Sequence, residues 1–203
     1  MAKFIKNYAL EIYTVISMLL MVLAAMMGEL SVVQKFGVVF TFLFILHEWE
    51  EGHYPGGFID LISGMVKINP SEETKRASRI PTGIFLLLFS IIPFVFDTYA
   101  IFAVALATFG IFEGLVHTVG IRIFRTKKFY TPGMVTAHIE LVTSVLLLVY
   151  LAQNHLGAWY DYTFGPFVFF ACFVTMQKTL TMMVGIKYSD MPKLIKAQLK
   201  KKD

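Results

Sequence analysis

Charge is scarce in this sequence. Only 16% of its 203 residues are Asp, Glu, Lys or Arg, where a water-soluble domain carries about a quarter. Cysteine is nearly absent as well. Cys172 stands alone in the apolar stretch FVFFACFV, so no disulfide framework is possible and the thiol reads as packing material rather than as a nucleophile. There is no internal repeat, and no low-complexity tract apart from a lysine-rich tail. The net charge is only +4, and the basic residues are not interleaved with exposed aromatics, which argues against a nucleic-acid partner. The N-terminal stretch has no clear small-x-small cleavage site, and Glu11 interrupts it. It therefore reads as a retained first span rather than a signal peptide.

What the chain does have is apolar length. Hydrophobic residues make up 57% of it and the mean hydropathy is +0.67. These residues lie in long runs rather than short alternations, so lipid is the expected solvent. A bilayer core of about 30 Å needs about 20 apolar helical residues. Six segments qualify: Ile12–Met27, Val32–Glu51, Ile80–Phe96, Thr98–Ile121, Met134–Gln153 and Phe164–Gly185. Pro93 and Asp97 divide the third from the fourth. The expected fold is an all-α polytopic bundle forming a single integral-membrane domain over residues 1–203.

Orientation follows from the basic residues. With six spans, Lys3 and Lys6, then Lys67, Lys75, Arg76 and Arg79, then Arg122, Arg125, Lys127 and Lys128, and finally Lys187, Lys193, Lys196 and Lys200 to Lys202 all fall on one side. The other side has only Lys35, and Lys178 lies within the last span. Both termini are therefore expected in the cytoplasm, and the expected location is a bacterial cytoplasmic membrane. Residues 52–79 form the one sizeable loop. In it PGGFIDLISGMVKINP suggests a turn and a short amphipathic surface helix, and SEETKRASR a solvated charged segment. The basic tail, residues 186–203, suits anchoring to anionic lipid.

Ionisable side chains inside spans are expensive, and their default reading is functional. The second span ends in HEWEE, so His47, Glu50 and Glu51 share a helical face at i, i+3 and i+4. The fourth span carries Glu113 and His117 at i and i+4, and the fifth opens with YTPGMVTAHIE, placing His138 about one turn in. By the orientation above, all three groups lie at one depth, in the cytoplasmic third of the bilayer. Neutral imidazole and carboxylate are the usual ligands of zinc, iron and manganese. The candidate metal ligands are therefore His47, Glu50, Glu51, Glu113, His117 and His138. A proton or ion pathway and a purely structural polar network are the alternatives. Glu48 and Glu140 point away from the shared faces and read as interfacial, as do His53 and Tyr54.

The His-x-x-Glu-Glu signature at His47 to Glu51, the sequence YTPG at Tyr130 to Gly133, and the further histidines His117 and His138 resemble the HXXEE family of small polytopic membrane proteins. The resemblance covers roughly residues 46–139. It implies His47, Glu50, Glu51, Tyr130, Pro132, Gly133 and one later histidine as the functional set, and it supplies no reaction.

Together these readings point to a membrane-embedded metalloenzyme. The first expectation is a metal-dependent hydrolase acting on a lipidic or otherwise apolar small molecule from the cytoplasmic leaflet, with membrane lipid as its surroundings. Zinc is the first choice of divalent metal, with iron and manganese as alternatives. His47, His117 and His138 would hold it, Glu50 or Glu51 would take the proton of a water, and Tyr130 would donate to a developing oxyanion. The rivals are a di-iron or di-manganese oxidoreductase and a proton-coupled transporter with a His/Glu relay.

Overall fold

Ten α-helices follow one another in the computed structural model, which describes residues 1–124 and 129–200, and no strand occurs among the described residues. They are α1 (Ala2–Asn7), α2 (Ala9–Met26), α3 (Val32–Gly52), α4 (Phe58–Val66), α5 (Glu72–Ala77), α6 (Arg79–Val95), α7 (Ala100–Ile123), α8 (Met134–Gln153), α9 (Trp159–Met183) and α10 (Met191–Lys200). Six helical stretches are long and apolar enough to cross a membrane: α2, α3, α5 continuing into α6, α7, α8 and α9. The all-α, six-span expectation holds. Arg125, Lys127, Lys128, Lys201 and Lys202, used above for orientation, lie outside the described residues.

Local signals explain the boundaries. Ser31 and Gln34 form a reciprocal capping box that starts α3, and Gly28, at φ 85°, turns the chain out of α2. Pro93 lies inside the last turn of α6, which stops at Val95. The last span starts earlier than expected, at Trp159, because Asp161 caps it by accepting the Ala158 N–H at 2.7 Å. The charged segment after the loop is helical too, as α5, and joins α6.

In lipid, burial of apolar surface gives helices little reason to associate, so close packing has to hold the bundle. Two devices supply it. The first is an aromatic core in which Phe44, Phe85, Phe89 and Phe169 all surround Phe109, with ring centroids 4.9–5.6 Å from it. The second is the α7–α8 seam, where small residues let two backbones meet. A methyl group added at Gly110 would lie 2.8 Å from the Glu140 carbonyl oxygen, and one at Gly114 would lie 2.5 Å from Leu141. α9 is mostly exposed along its length and offers its apolar surface to lipid.

Helices α3 and α7 end, and α6 and α8 begin, at the same end of the bundle, so the polar residues at those termini meet. The short helices α4 and α10 touch each other at that end, and α1 packs on α5 there. α4 is amphipathic, with Met65 and Val66 buried and Asp60 exposed, as the sequence suggests.

The seam makes a clear stability test. Gly110→Val forces α7 off the α8 backbone and should cost about 1–3 kcal/mol or more, seen as a lowered Tm in mild detergent. Gly64→Ala, with open space around it, should leave the Tm unchanged or slightly raised. Equal Tm values for Gly110→Val and the wild type would contradict the packing described.

Candidate metal centre

Helix α8 begins at Gly133, which has φ 91° and no side chain to cap the free N–H groups of the first turn. Glu50 of α3 caps them instead. Its Oε1 accepts the Val135 N–H at 3.1 Å and the Tyr130 hydroxyl at 2.7 Å, and its Oε2 accepts the Thr136 N–H at 2.9 Å and the Thr136 hydroxyl at 2.6 Å. A carboxylate at a helix N-terminus also interacts favourably with the helix dipole. Both Glu50 oxygens are therefore engaged, and Glu50 is not turned toward the imidazoles as a ligand or base. Tyr130, expected to donate to an oxyanion, donates to Glu50 instead. Burial and the adjacent carboxylate raise its phenol above the ordinary tyrosine range, so it remains a donor.

The Thr136 hydroxyl also orients a histidine. His47 Nδ1 lies 2.9 Å from Thr136 Oγ1. Since the Thr136 proton is directed to Glu50, the ring must donate from Nδ1, which leaves the lone pair on Nε2. His117 is fixed in the same manner. Its Nδ1 lies 3.1 Å from Thr131 Oγ1, whose own proton goes to the His117 carbonyl at 3.2 Å. The two rings meet edge-on with centroids 5.1 Å apart. Each is pinned through Nδ1 and presents Nε2 to the same point, the usual outer arrangement of metal-ligating imidazoles.

Two carboxylates face that point. His47 Nε2 lies 3.5 Å from Glu51 Oε1 and 3.9 Å from Glu113 Oε2; His117 Nε2 lies 3.4 Å and 3.6 Å from the same two atoms. Tetrahedral bonds of 2.0–2.1 Å place donor atoms roughly 3.3–3.4 Å apart, so separations of 3.4–3.9 Å are close to, and up to half an ångström wider than, those of ligands around a small cation. His117 Nε2 is fully buried and has no aligned hydrogen bond. An orphaned polar atom in a bundle interior needs a partner. His47, Glu113 and His117 bring one ligand atom each within 4.8 Å of one another, a buried group that could hold a metal ion.

His138 is not gathered into this group. Its Nδ1 faces the Met134 carbonyl at 2.6 Å and its Nε2 the Thr118 hydroxyl at 3.0 Å, so both ring nitrogens are occupied on the far side of α8. Glu48 and Glu140 are not interfacial either. Glu48 is 3% exposed and receives the Arg79 guanidinium at 2.7 Å, while Arg79 Nη1 also lies 3.7 Å from Glu51 Oε2. Glu140 is fully buried, and neither of its oxygens has a hydrogen-bond partner. Their charge made an interfacial position the natural reading, and the bundle interior instead supplies Arg79 to Glu48. His53 and Tyr54 are exposed beside Trp49.

Sequence reasoning passed over Arg79, Thr131 and Thr136. Threonine at a helix start carries no metal signal of its own, and Arg79 counted only toward orientation. Gly133 gains a second role. A methyl group there would lie 2.7 Å from His117 Cε1, 2.8 Å from Glu51 Cγ and 2.9 Å from His47 Cε1. The YTPG segment therefore gives Glu50 a donor, His117 an anchor and all three site side chains room.

Beside the group lies a cavity of about 280 Å³ with an apolar lining that includes Ile62, Phe112, Val116, Phe173 and Leu180, with His47, Glu51 and Glu113 at its edge. Phe58 of α4 lies against His117, ring centroids 5.1 Å apart.

Thr136→Val removes the link between His47 and Glu50 and should weaken metal affinity about 10–100-fold, measured by competition with a chelating dye. Gly133→Ala strains the backbone and crowds three site residues, so it should reduce both Tm and metal uptake. Unchanged affinity in Thr136→Val would show that the hydroxyl does not orient His47.

No curated protein and no solved structure matches the chain. The family described as "Protein of unknown function with HXXEE motif" matches residues 38–152, more than half of the chain. This span contains every member of the His/Glu group and the helix start that orients it, and the chain belongs to that HXXEE family.

Proposed function

We propose that the protein is a membrane-embedded metal-dependent hydrolase whose substrate is lipidic. The observation that carries the reading is the buried His117 Nε2, which makes no aligned hydrogen bond and converges with His47 Nε2 on Glu51 and Glu113 at 3.4–3.9 Å. His47, Glu113 and His117 would hold the ion, and zinc suits a donor set of two imidazoles and a carboxylate, the number of protein ligands that catalytic zinc sites use.

A divalent metal held there supplies Lewis acidity to a water and to a carbonyl. The chain's own side chains do the rest. Glu51 accepts the proton of the water as its oxygen bonds to the acyl carbon. It returns that proton to the leaving oxygen or nitrogen as the acyl–heteroatom bond breaks. Arg79 holds the second Glu51 oxygen, which keeps the carboxylate in place between the two rings. The apolar cavity beside the group excludes bulk water and accommodates a hydrocarbon chain.

A di-iron or di-manganese oxidoreductase is the second reading, favoured by a further fully buried carboxylate, Glu140, whose two oxygens have no hydrogen-bond partner.

Elemental analysis of protein purified in mild detergent, without an immobilised-metal step, tests both. One zinc per chain is expected, lost in His47→Ala and in Glu113→Ala. Two irons or manganese would select the oxidoreductase, and metal-free protein after a reconstitution attempt would overturn both readings. Glu51→Gln should keep the zinc and lose about 10²–10⁴-fold in turnover of a lipid ester or amide. Loss of the metal along with activity in that variant would make Glu51 a ligand rather than a base.

A further inference from the structure

A second cavity, of about 490 Å³, lies next to the apolar one and differs from it in character. It is formed by α1, the start of α2, the end of α3, the loop before α4, and α5, and its lining is polar: Asn7, Glu11, His53, Asp60, Lys75 and Arg76. The two cavities share three residues, Glu51, Ile59 and Arg79. Glu51 is also one of the two carboxylates that face both imidazoles. A molecule with one oily and one hydrophilic end therefore has a place for each end, with the His/Glu group beside the junction.

The charges of the polar cavity narrow the class of molecule. Lys75 is committed to Asp60 and Glu72, at 2.7 Å each, and Arg79 to Glu48 at 2.7 Å. Arg76 and Glu11 also line the cavity, and neither has an ion-pair partner among the described residues. One unpaired cation and one unpaired anion complement a head group that carries both signs. The apolar cavity, about 280 Å³, falls just below the usual range of small-molecule pockets, about 300–1,000 Å³. It suits one chain rather than two.

We infer that the site takes a single-chain amphiphile with a zwitterionic head. The chain occupies the apolar cavity, the head sits between Arg76 and Glu11, and the acyl linkage between them lies at Glu51. Only the last point rests on the hydrolase reading; the binding mode does not. The head group would leave through the polar cavity, while the chain stays in the apolar one.

The test is retention of chain-labelled amphiphiles by the full protein in maltoside micelles, measured by equilibrium gel filtration with zinc content read on the same samples. The probes share one twelve-carbon chain and carry a phosphocholine, a phosphate, a trimethylammonium or a carboxylate head. Phosphocholine should be retained at least tenfold better than the other three. Arg76→Gln should remove the preference over trimethylammonium, and Glu11→Gln the preference over phosphate. Ile62→Trp, which fills the apolar cavity, should reduce retention of all four. Should that variant fail to fold, the two exposed charge variants carry the test. Equal retention of all heads, or a preference untouched by both charge variants, would overturn the inference while bound zinc leaves the hydrolase reading standing. Head-selective retention by a protein that takes up no zinc would leave the binding mode intact and remove the catalytic reading.

Discussion

The capping of α8 by Glu50 is the contact on which the rest of the site depends. A helix that starts at a glycine leaves its first N–H groups unpaired, and in a membrane protein the cost of that is severe because lipid offers no substitute. Glu50 meets the need from a different helix, fixing α3 against α8 and their relative rotation. The Thr136 hydroxyl is drawn into the same carboxylate, and this directs its lone pairs to His47. One capping interaction therefore sets the tautomer of an imidazole one turn earlier on α3. His117 reaches the same state through Thr131, two residues before the same helix start.

The charge balance of this region is uneven. Glu48, Glu50, Glu51, Glu113 and Glu140 all lie within the bundle, and Arg79 pairs with only two of them, Glu48 and Glu51. Such a group approaches neutrality only by taking up protons or a cation, since an unpaired charge in a low-dielectric interior is strongly disfavoured. Arg79 serves Glu48 and the outer oxygen of Glu51. The N-terminus of α8 serves Glu50. The inner oxygens of Glu51 and Glu113 remain beside the Nε2 atoms of two imidazoles, a combination that could hold a metal ion.

Placement is what supports the proposal of a lipidic substrate. The group lies at one end of the bundle, where the short amphipathic helices α4 and α10 close over the spans. It has an apolar cavity on one side and a polar one on the other. An arrangement facing water alone would have no use for the first, and a transport path would be expected to continue across the bundle. Here the buried polar residues of α8 stop at Ser144, and Leu147 and Leu151 beyond it are fully buried and apolar.

The sequence by itself determined the all-α fold, the six spans and the candidate side chains, because each depends on short-range pattern. Apolar run length decides whether a helix can cross lipid, and i, i+3, i+4 spacing decides which residues share a face. His47 with Glu51 and Glu113 with His117 were legible on those grounds. Only the tertiary structure decided how the members divide their work. Glu50 turned to cap α8, His138 faced Thr118, and Arg79 left the loop for the interior to pair with Glu48. Each outcome depends on which unpaired group on another helix lies nearest, and hydrogen bonding across helices leaves no periodic mark on the chain.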